Sequence, residues 1–284
     1  MRIVSRRVSA WIGACHPLPV VAVTAVTAGL AVAVGHTHGG TLLVTAAVLA
    51  GQLSVGWLND LVDAERDARV GRTDKPVARG LVSRRAVAVA TVLAAGTALA
   101  LSVAAGLLAA AAHLIALVFA WAYDLGVKST RWSVVSYAVS FGLLPAFVVL
   151  ALPGAPWPPW WLPAAGALMG CAAHFLNVLP DLADDAAVGV RGLPHRWGAA
   201  VSRVVAGFLV LGAAGLLVTG PAGSDGVTAD GRVAVLPVAA LVVGAGLVRG
   251  RRPGSRAAFN AVLVVAVAAV GLLLLAGPAA VAPG

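Results

Sequence analysis

Charge is scarce in this chain. Only 11% of its 284 residues are Asp, Glu, Lys or Arg, against 60% hydrophobic residues, which excludes a soluble domain of ordinary composition. Cysteine is limited to Cys15 and Cys171, far apart and without metal-ligand spacing. That excludes a disulfide framework and a zinc centre, and both thiols read as packing residues in a reducing compartment. Lysine is nearly absent too, since 18 of the 20 basic residues are Arg. A net charge of +9 would suit a nucleic-acid binder if it formed one patch. Here the basic residues fall in short connections between apolar runs, the pattern of cytoplasmic loops beside membrane helices. No nucleic-acid partner is expected.

What is abundant is long apolar sequence. Runs long enough to cross a bilayer lie at about 18–35, 41–58, 86–104, 107–123, 133–152, 161–179, 199–219, 233–248 and 257–276. They predict an all-α, polytopic membrane protein of about nine transmembrane helices. Arg2, Arg6 and Arg7 ahead of the first run resemble a signal peptide, but the apolar run to Val34 and the many later spans favour a retained helix. With the N-terminus inside, the connections 58–85, 124–132, 180–198 and 249–256 are cytoplasmic. Together with Arg2, Arg6, Arg7 and Arg203 they hold 19 of the 20 basic residues, leaving Arg232 outside. The expectation is a multi-pass protein of the cell membrane with its C-terminus outside. Trp157, Trp160 and Trp161 would anchor the outer interface.

The few acidic residues are not scattered. Asn59, Asp63, Asp67, Gly71, Pro76 and Gly80 recur at a constant offset of 118 as Asn177, Asp181, Asp185, Gly189, Pro194 and Gly198. Both copies follow the second helix of a set, so the repeat is parallel: two four-helix units plus one helix, in a single domain over 1–284. Carboxylates beside membrane spans are costly and read as a functional site. Steps of three and four put Asn59, Asp60, Asp63 and Asp67 on one helical face, and Asn177, Asp181 and Asp185 on another. Carboxylate and amide oxygens are hard ligands suited to Mg²⁺, which completes its shell with water and phosphate oxygens. The helix C-terminal ends repel bare anions, so an anion would bind through metals. Arg66, Arg69, Arg72, Lys75, Arg79, Lys128, Arg131, Arg191 and Arg196 stand in the same loops, and the mixture fits a diphosphate whose charge grows as it leaves. Pairing of acid with base at the membrane surface explains Glu65, Asp184, Arg84 and Arg85. It does not explain why same-face spacing occurs twice.

The stretch from Asn59 through Asp63 to Asp67, with Arg72 and Asp74-Lys75-Pro76, resembles the first aspartate-rich motif of the UbiA-type intramembrane prenyltransferases. Asp181-Leu182-Ala183-Asp184-Asp185, with Gly189, Pro194 and Gly198, is similar to the second, and Tyr123 with Lys128 matches a further family pattern. The resemblance implies a helical bundle around a central cavity. Asn59, Asp60, Asp63, Asp67, Asp181 and Asp185 would then hold Mg²⁺, and Arg72, Lys75 and Lys128 would hold phosphate oxygens. The implied reaction ionises an allylic prenyl diphosphate and lets a hydrophobic or aromatic acceptor capture the carbocation, among membrane lipid. Tyr123, Asn177, His174 and Arg191 complete the expected substrate site, with Arg191 replacing a basic residue that is common where Ala186 stands. Members acting on aromatic acids often open the first helix with Arg or Lys near a proline, whereas this chain reads Ala14-Cys15-His16-Pro17-Leu18-Pro19, a departure that speaks against a carboxylate-bearing acceptor. Capture by water or by the chain's own double bonds, as in a membrane terpene cyclase, remains an alternative. Phosphatidyl transfer would use a single motif with Asp-Gly and Ala-Arg, absent here, and transporter acids would fall at mid-span. Among smaller signals, His174 could accept a proton, Gln52 shares a face with Asn59, His113 reads as interhelical glue, and His195 is a loop histidine near the expected diphosphate.

Overall fold

The computed structural model describes residues 2–220, 235–252 and 255–278, with side chains from residue 8 onward. Arg232, most of the connection before it and the side chains of Arg2, Arg6 and Arg7 therefore lie outside the described residues. Every described element is helical. The order is α1 (Arg2–Ala14), α2 (Pro17–Ala33), α3 (His38–Arg69), α4 (Arg84–Ala104), α5 (Leu107–Asp124), α6 (Ser133–Leu150), α7 (Trp161–Val178), α8 (Leu182–Ala187), α9 (Leu193–Thr219), α10 (Val235–Arg249) and α11 (Ala257–Ala276), with 3₁₀ turns at Val127–Ser129 and Leu179–Asp181.

Each of the nine expected apolar runs falls on a described helix, α2 to α7 and α9 to α11, although not all nine are full-length spans. Among the described residues seven helical spans are long and apolar enough to cross a membrane, α7 with α8 counting as one. The pair α1 and α2 makes an eighth across a 69° bend, and α10 is shorter. The bend falls where Pro17 cannot continue a hydrogen-bonded helix, and His16 takes a left-handed backbone with φ 57°.

Large apolar side chains such as Leu42, Val92, Leu107, Phe208 and Leu241 are outward and exposed, as lipid contact requires. The interior is built from small residues and a few large ones, with Phe147, Val148, Val149 and Phe175 fully buried. Two central cores divide the bundle, one around α2, α3, α5 and α6 and one around α7, α9, α10 and α11. Consecutive helices pack in sequence around the bundle, α5 against α6 joins the halves, and α11 against α2 closes the ring. Gly56 on α3 lets the carbonyl of Cys15 approach so closely that a Cβ there would collide with it. The α1–α2 break is thereby seated on α3 one turn before Asn59.

Of the three expected tryptophan anchors, Trp157 and Trp160 are exposed but Trp161 is 4% exposed, in the core at the start of α7. His113 bridges helices as expected, its Nδ1 2.7 Å from Ser102 Oγ on α4 and its ring stacked on Phe147 of α6. Both cysteines are unpaired.

Candidate active site

The first acidic cassette does not follow a helix. It is part of one. The 32 residues of α3 extend about 48 Å at 1.5 Å per residue, well beyond a hydrocarbon core of about 30 Å, so its last three turns carry Asn59 to Asp67 into the interfacial zone. The second cassette is built differently. Pro180 ends α7, a 3₁₀ turn covers Leu179–Asp181, and α8 carries Asp185. Despite the break, Asn177, Asp181 and Asp185 all line a cavity of about 140 Å³, opposite Asn59, Asp63 and Asp67. The C-terminal ends of α3, α5 and α7 and the start of α9 meet there. The volume is room for several waters or a small polyanion.

Lysine organises the first half. Lys128, in the turn after α5, places Nζ 2.6 Å from both carboxylate oxygens of Asp63, and Arg66 adds a contact of 2.8 Å to Asp63 Oδ2. Lys75 returns from the loop after α3 to sit 3.2 Å from Asn59 Oδ1, 3.1 Å from His16 Nε2, 3.4 Å from Asp60 Oδ1 and 3.8 Å from Asp67 Oδ2. Arg72 joins the halves, gripping Asp74 through two contacts of 2.9 Å and reaching Asp181 Oδ1 at 3.4 Å. The hydrogen bond from Arg72 holds the Asp74 carboxyl down at about 2, and the same bond, with Asp181 nearby, raises the Arg72 guanidinium above its ordinary value. Asp63, Asp67, Asp74, Asp181 and Asp185 share the lining with Arg66, Arg72, Lys75, Lys128 and Arg256, so the lining is formally balanced.

Tyr123 and His174 form a wall with Tyr137, ring centroids 4.9 to 5.6 Å apart. His174 is 1% exposed, with Nε2 3.0 Å from Ser133 Oγ. Two expected site residues stand outside the cavity lining. Asp60 is turned to the loop, where Oδ2 accepts the Val77 N–H at 3.1 Å, because it lies off the Asn59–Asp63–Asp67 stripe. Arg191 is exposed, and only its carbonyl is engaged, by Arg196 Nε. Gln52 lines a separate small cavity deeper in the bundle with His113, Ser140 and Phe141.

Three side chains at or beside the site, His16, Arg256 and Asp124, escaped the sequence reading, while His195 was already placed near the expected diphosphate. His16 reaches the lining through the α1–α2 break, Arg256 through the start of α11, and His195 through the first turn of α9. Asp124 is 3% exposed and accepts from Asn59 Nδ2 at 2.8 Å. Its place four residues before Lys128 was the available signal.

Among the described residues no three carboxylate, imidazole or thiol groups converge closely enough to hold a metal by themselves. The donors facing the cavity are nonetheless carboxylate and amide oxygens, and Asp67 Oδ2 is buried without a hydrogen bond. That set fits Mg²⁺ with water and ligand oxygens completing its shell.

The model of the UbiA prenyltransferase family matches residues 21–266. The chain belongs to that family. It is a membrane prenyltransferase. It is similar to the digeranylgeranylglyceryl phosphate synthase of Methanopyrus kandleri, 31% identical over 188 residues that cover 63% of this chain and 68% of that one. Its fold is that of solved family members. A UbiA homologue from Archaeoglobus fulgidus bound to GPP and Mg²⁺ superposes with TM-score 0.70 at 14% identity, covering 93% of this chain and 99% of the other. The apo UbiA homologue from Aeropyrum pernix gives TM-score 0.71 at 18% identity, covering 89% and 94%.

Proposed function

We propose that this prenyltransferase, acting as one membrane domain, ionises an allylic prenyl diphosphate held with Mg²⁺ between its two cassettes, and delivers the prenyl cation to an apolar acceptor bearing a nucleophilic oxygen or carbon. The observation that carries the reading is the meeting of two repeat-related acidic sets in one small cavity whose lining also carries five lysine and arginine side chains. Asn59, Asp63 and Asp67 on one side and Asp181 and Asp185 on the other would hold the metal. When bound, Mg²⁺ supplies charge neutralisation on the leaving diphosphate.

The charge balance of the lining says what the protein's own cations do. Five carboxylates already have five cations, and a diphosphate adds negative charge that the protein alone does not match. With Mg²⁺ on the carboxylates, Lys75, Lys128 and Arg72 would be free to donate to phosphate oxygens, and those hydrogen bonds would strengthen as negative charge grows on the leaving diphosphate. Tyr123 and His174 line the cavity with Tyr137 packed against both, an aromatic wall that suits a developing cation and keeps water from it. Asp60 would act from behind, fixing Val77 and Lys75. The glyceryl phosphate named in the Methanopyrus relative makes an acceptor of that kind the first to offer. The clustering of basic loops at the cavity end supports a cytoplasmic active site and N-terminus.

The test is diphosphate release by the purified protein in nanodiscs with Mg²⁺ and ten-, fifteen- and twenty-carbon allylic diphosphates, with and without acceptor. Asp63→Ala and Asp181→Ala are expected to lose turnover by at least about 100-fold while remaining folded. Turnover retained by both variants would sink the reading.

A further inference from the structure

The two cassette loops differ in one informative way. At the offset of 118, Lys75-Pro76-Val77 corresponds to Leu193-Pro194-His195. In the first loop the residue before proline enters the cavity and the residue after it joins a core, Val77 being 5% exposed. In the second loop the arrangement is exchanged. Leu193 packs against the second core and His195 lines the cavity. Each polar side chain then meets the corresponding carboxylate: Lys75 Nζ lies 3.8 Å from Asp67 Oδ2, and His195 Nε2 lies 3.5 Å from Asp185 Oδ2.

His195 is also unsatisfied. Its side chain is 6% exposed, yet neither ring nitrogen has a hydrogen-bond partner. A buried polar ring without partners asks for an explanation. Gly198, with φ 76° and ψ 168°, interrupts α9 three residues later, so the turn carrying His195 is set at an angle to the rest of that helix. Its neighbours hold it there: Leu193 N donates to Ser133 Oγ at 2.9 Å, and Trp197 stacks on Phe175 at 5.4 Å.

We propose that His195 is the diphosphate ligand of the second half, donating a ring N–H to a phosphate oxygen of the prenyl donor across the cavity from Lys75. This rests on the donor assignment above. A neutral imidazole always carries one N–H, so the contact needs no change of charge on the ring. It gives the diphosphate a grip on both halves, an ammonium on one and an imidazole on the other.

The experiment measures binding of inorganic pyrophosphate with Mg²⁺ by calorimetry, on the full-length protein in nanodiscs. It compares wild type, His195→Gln, which keeps an N–H, and His195→Leu, which has none. Thermal unfolding is followed alongside. His195→Leu is expected to bind pyrophosphate about 10- to 100-fold more weakly, the value of a hydrogen bond to a charged group, and His195→Gln to stay near wild type. Folded His195→Leu with wild-type affinity overturns the proposal. So does equal weakening in both variants with a matching fall in unfolding midpoint, which assigns His195 to packing. Wild type that binds no pyrophosphate overturns the donor assignment itself, and this proposal with it.

Discussion

Replacing Lys75 by Met removes, among the described residues, the only cation within 4 Å of Asp60 and the only one within 4 Å of Asp67. These carboxylates are 0% and 4% exposed, and Lys75 itself is 7% exposed. Loss of one partner from a buried ion pair costs about 3–5 kcal/mol because the remaining charge has no compensation. For a protein of this size each kcal/mol moves the unfolding midpoint by about 2–4 °C, so the midpoint in chelator should fall by about 6–20 °C. Two additions make the reasoning specific to charge. Asp67→Asn in the Lys75→Met background removes one stranded carboxylate, and the double variant should regain part of the loss, a coupling that a double-mutant cycle measures. Mg²⁺ should stabilise Lys75→Met more than wild type, since the metal then supplies the missing positive charge. The assay is thermal unfolding in detergent at a fixed scan rate, each variant with Mg²⁺ and with chelator. A Lys75→Met midpoint equal to wild type in chelator, or a double variant no more stable than Lys75→Met, would refute the argument.

Two further predictions concern the rim and the topology. The Asp74 carboxyl is held at about 2 by Arg72, below its unfolded value near 3.9. Its pairing therefore adds stability above about pH 4 that is lost as pH falls through 2. The side chain is 58% exposed, so the difference between wild type and Asp74→Asn should stay below about 1 kcal/mol, shrink in molar salt and vanish toward pH 2, as read by denaturant unfolding across pH. In a background with Cys15 and Cys171 replaced, Arg79→Cys should react with a membrane-impermeant maleimide only after cells are permeabilised, whereas Trp157→Cys should react in intact cells. The opposite labelling would invert the topology.

Much of the site was legible because a repeat constrains chemistry twice. Residues spaced by four on a helix share a face whatever surrounds them, and Asn59, Asp63 and Asp67 do so on unbroken α3. Their partners at 177, 181 and 185 reach the cavity even though Pro180 breaks the helix between them. What periodicity does not encode is where loops return. Lys75 enters through the path of the loop after α3, which Asp60 fixes by holding the Val77 amide. His16 is delivered by a left-handed residue and a helix break seated on Gly56, and Arg256 by the packing of the last helix beside α2. The expected Arg191 is exposed and outside the cavity lining, whereas His195, four residues on, is within it. The nine apolar runs were legible as helices, α2 to α7 and α9 to α11, whereas hydropathy alone does not show that α2 joins α1 across a bend or that α10 is short.

The seam between α2 and α11 has a consequence for biogenesis. Gly29 on α2 lies directly against Val270 on α11, and the same last helix begins beside Arg256 in the cavity wall. A ribosome feeding this chain into a membrane makes the two aspartate cassettes, and even the turn that carries His195, well before the helix that closes the ring. Until that helix is inserted, the flank of α2 is open to lipid and the cavity lacks one wall. A truncated chain ending before α11 would carry every carboxylate of the cavity lining and yet lack Arg256 and the helix packed on α2, so under the proposed reaction the shielding of a cation would await the insertion of α11.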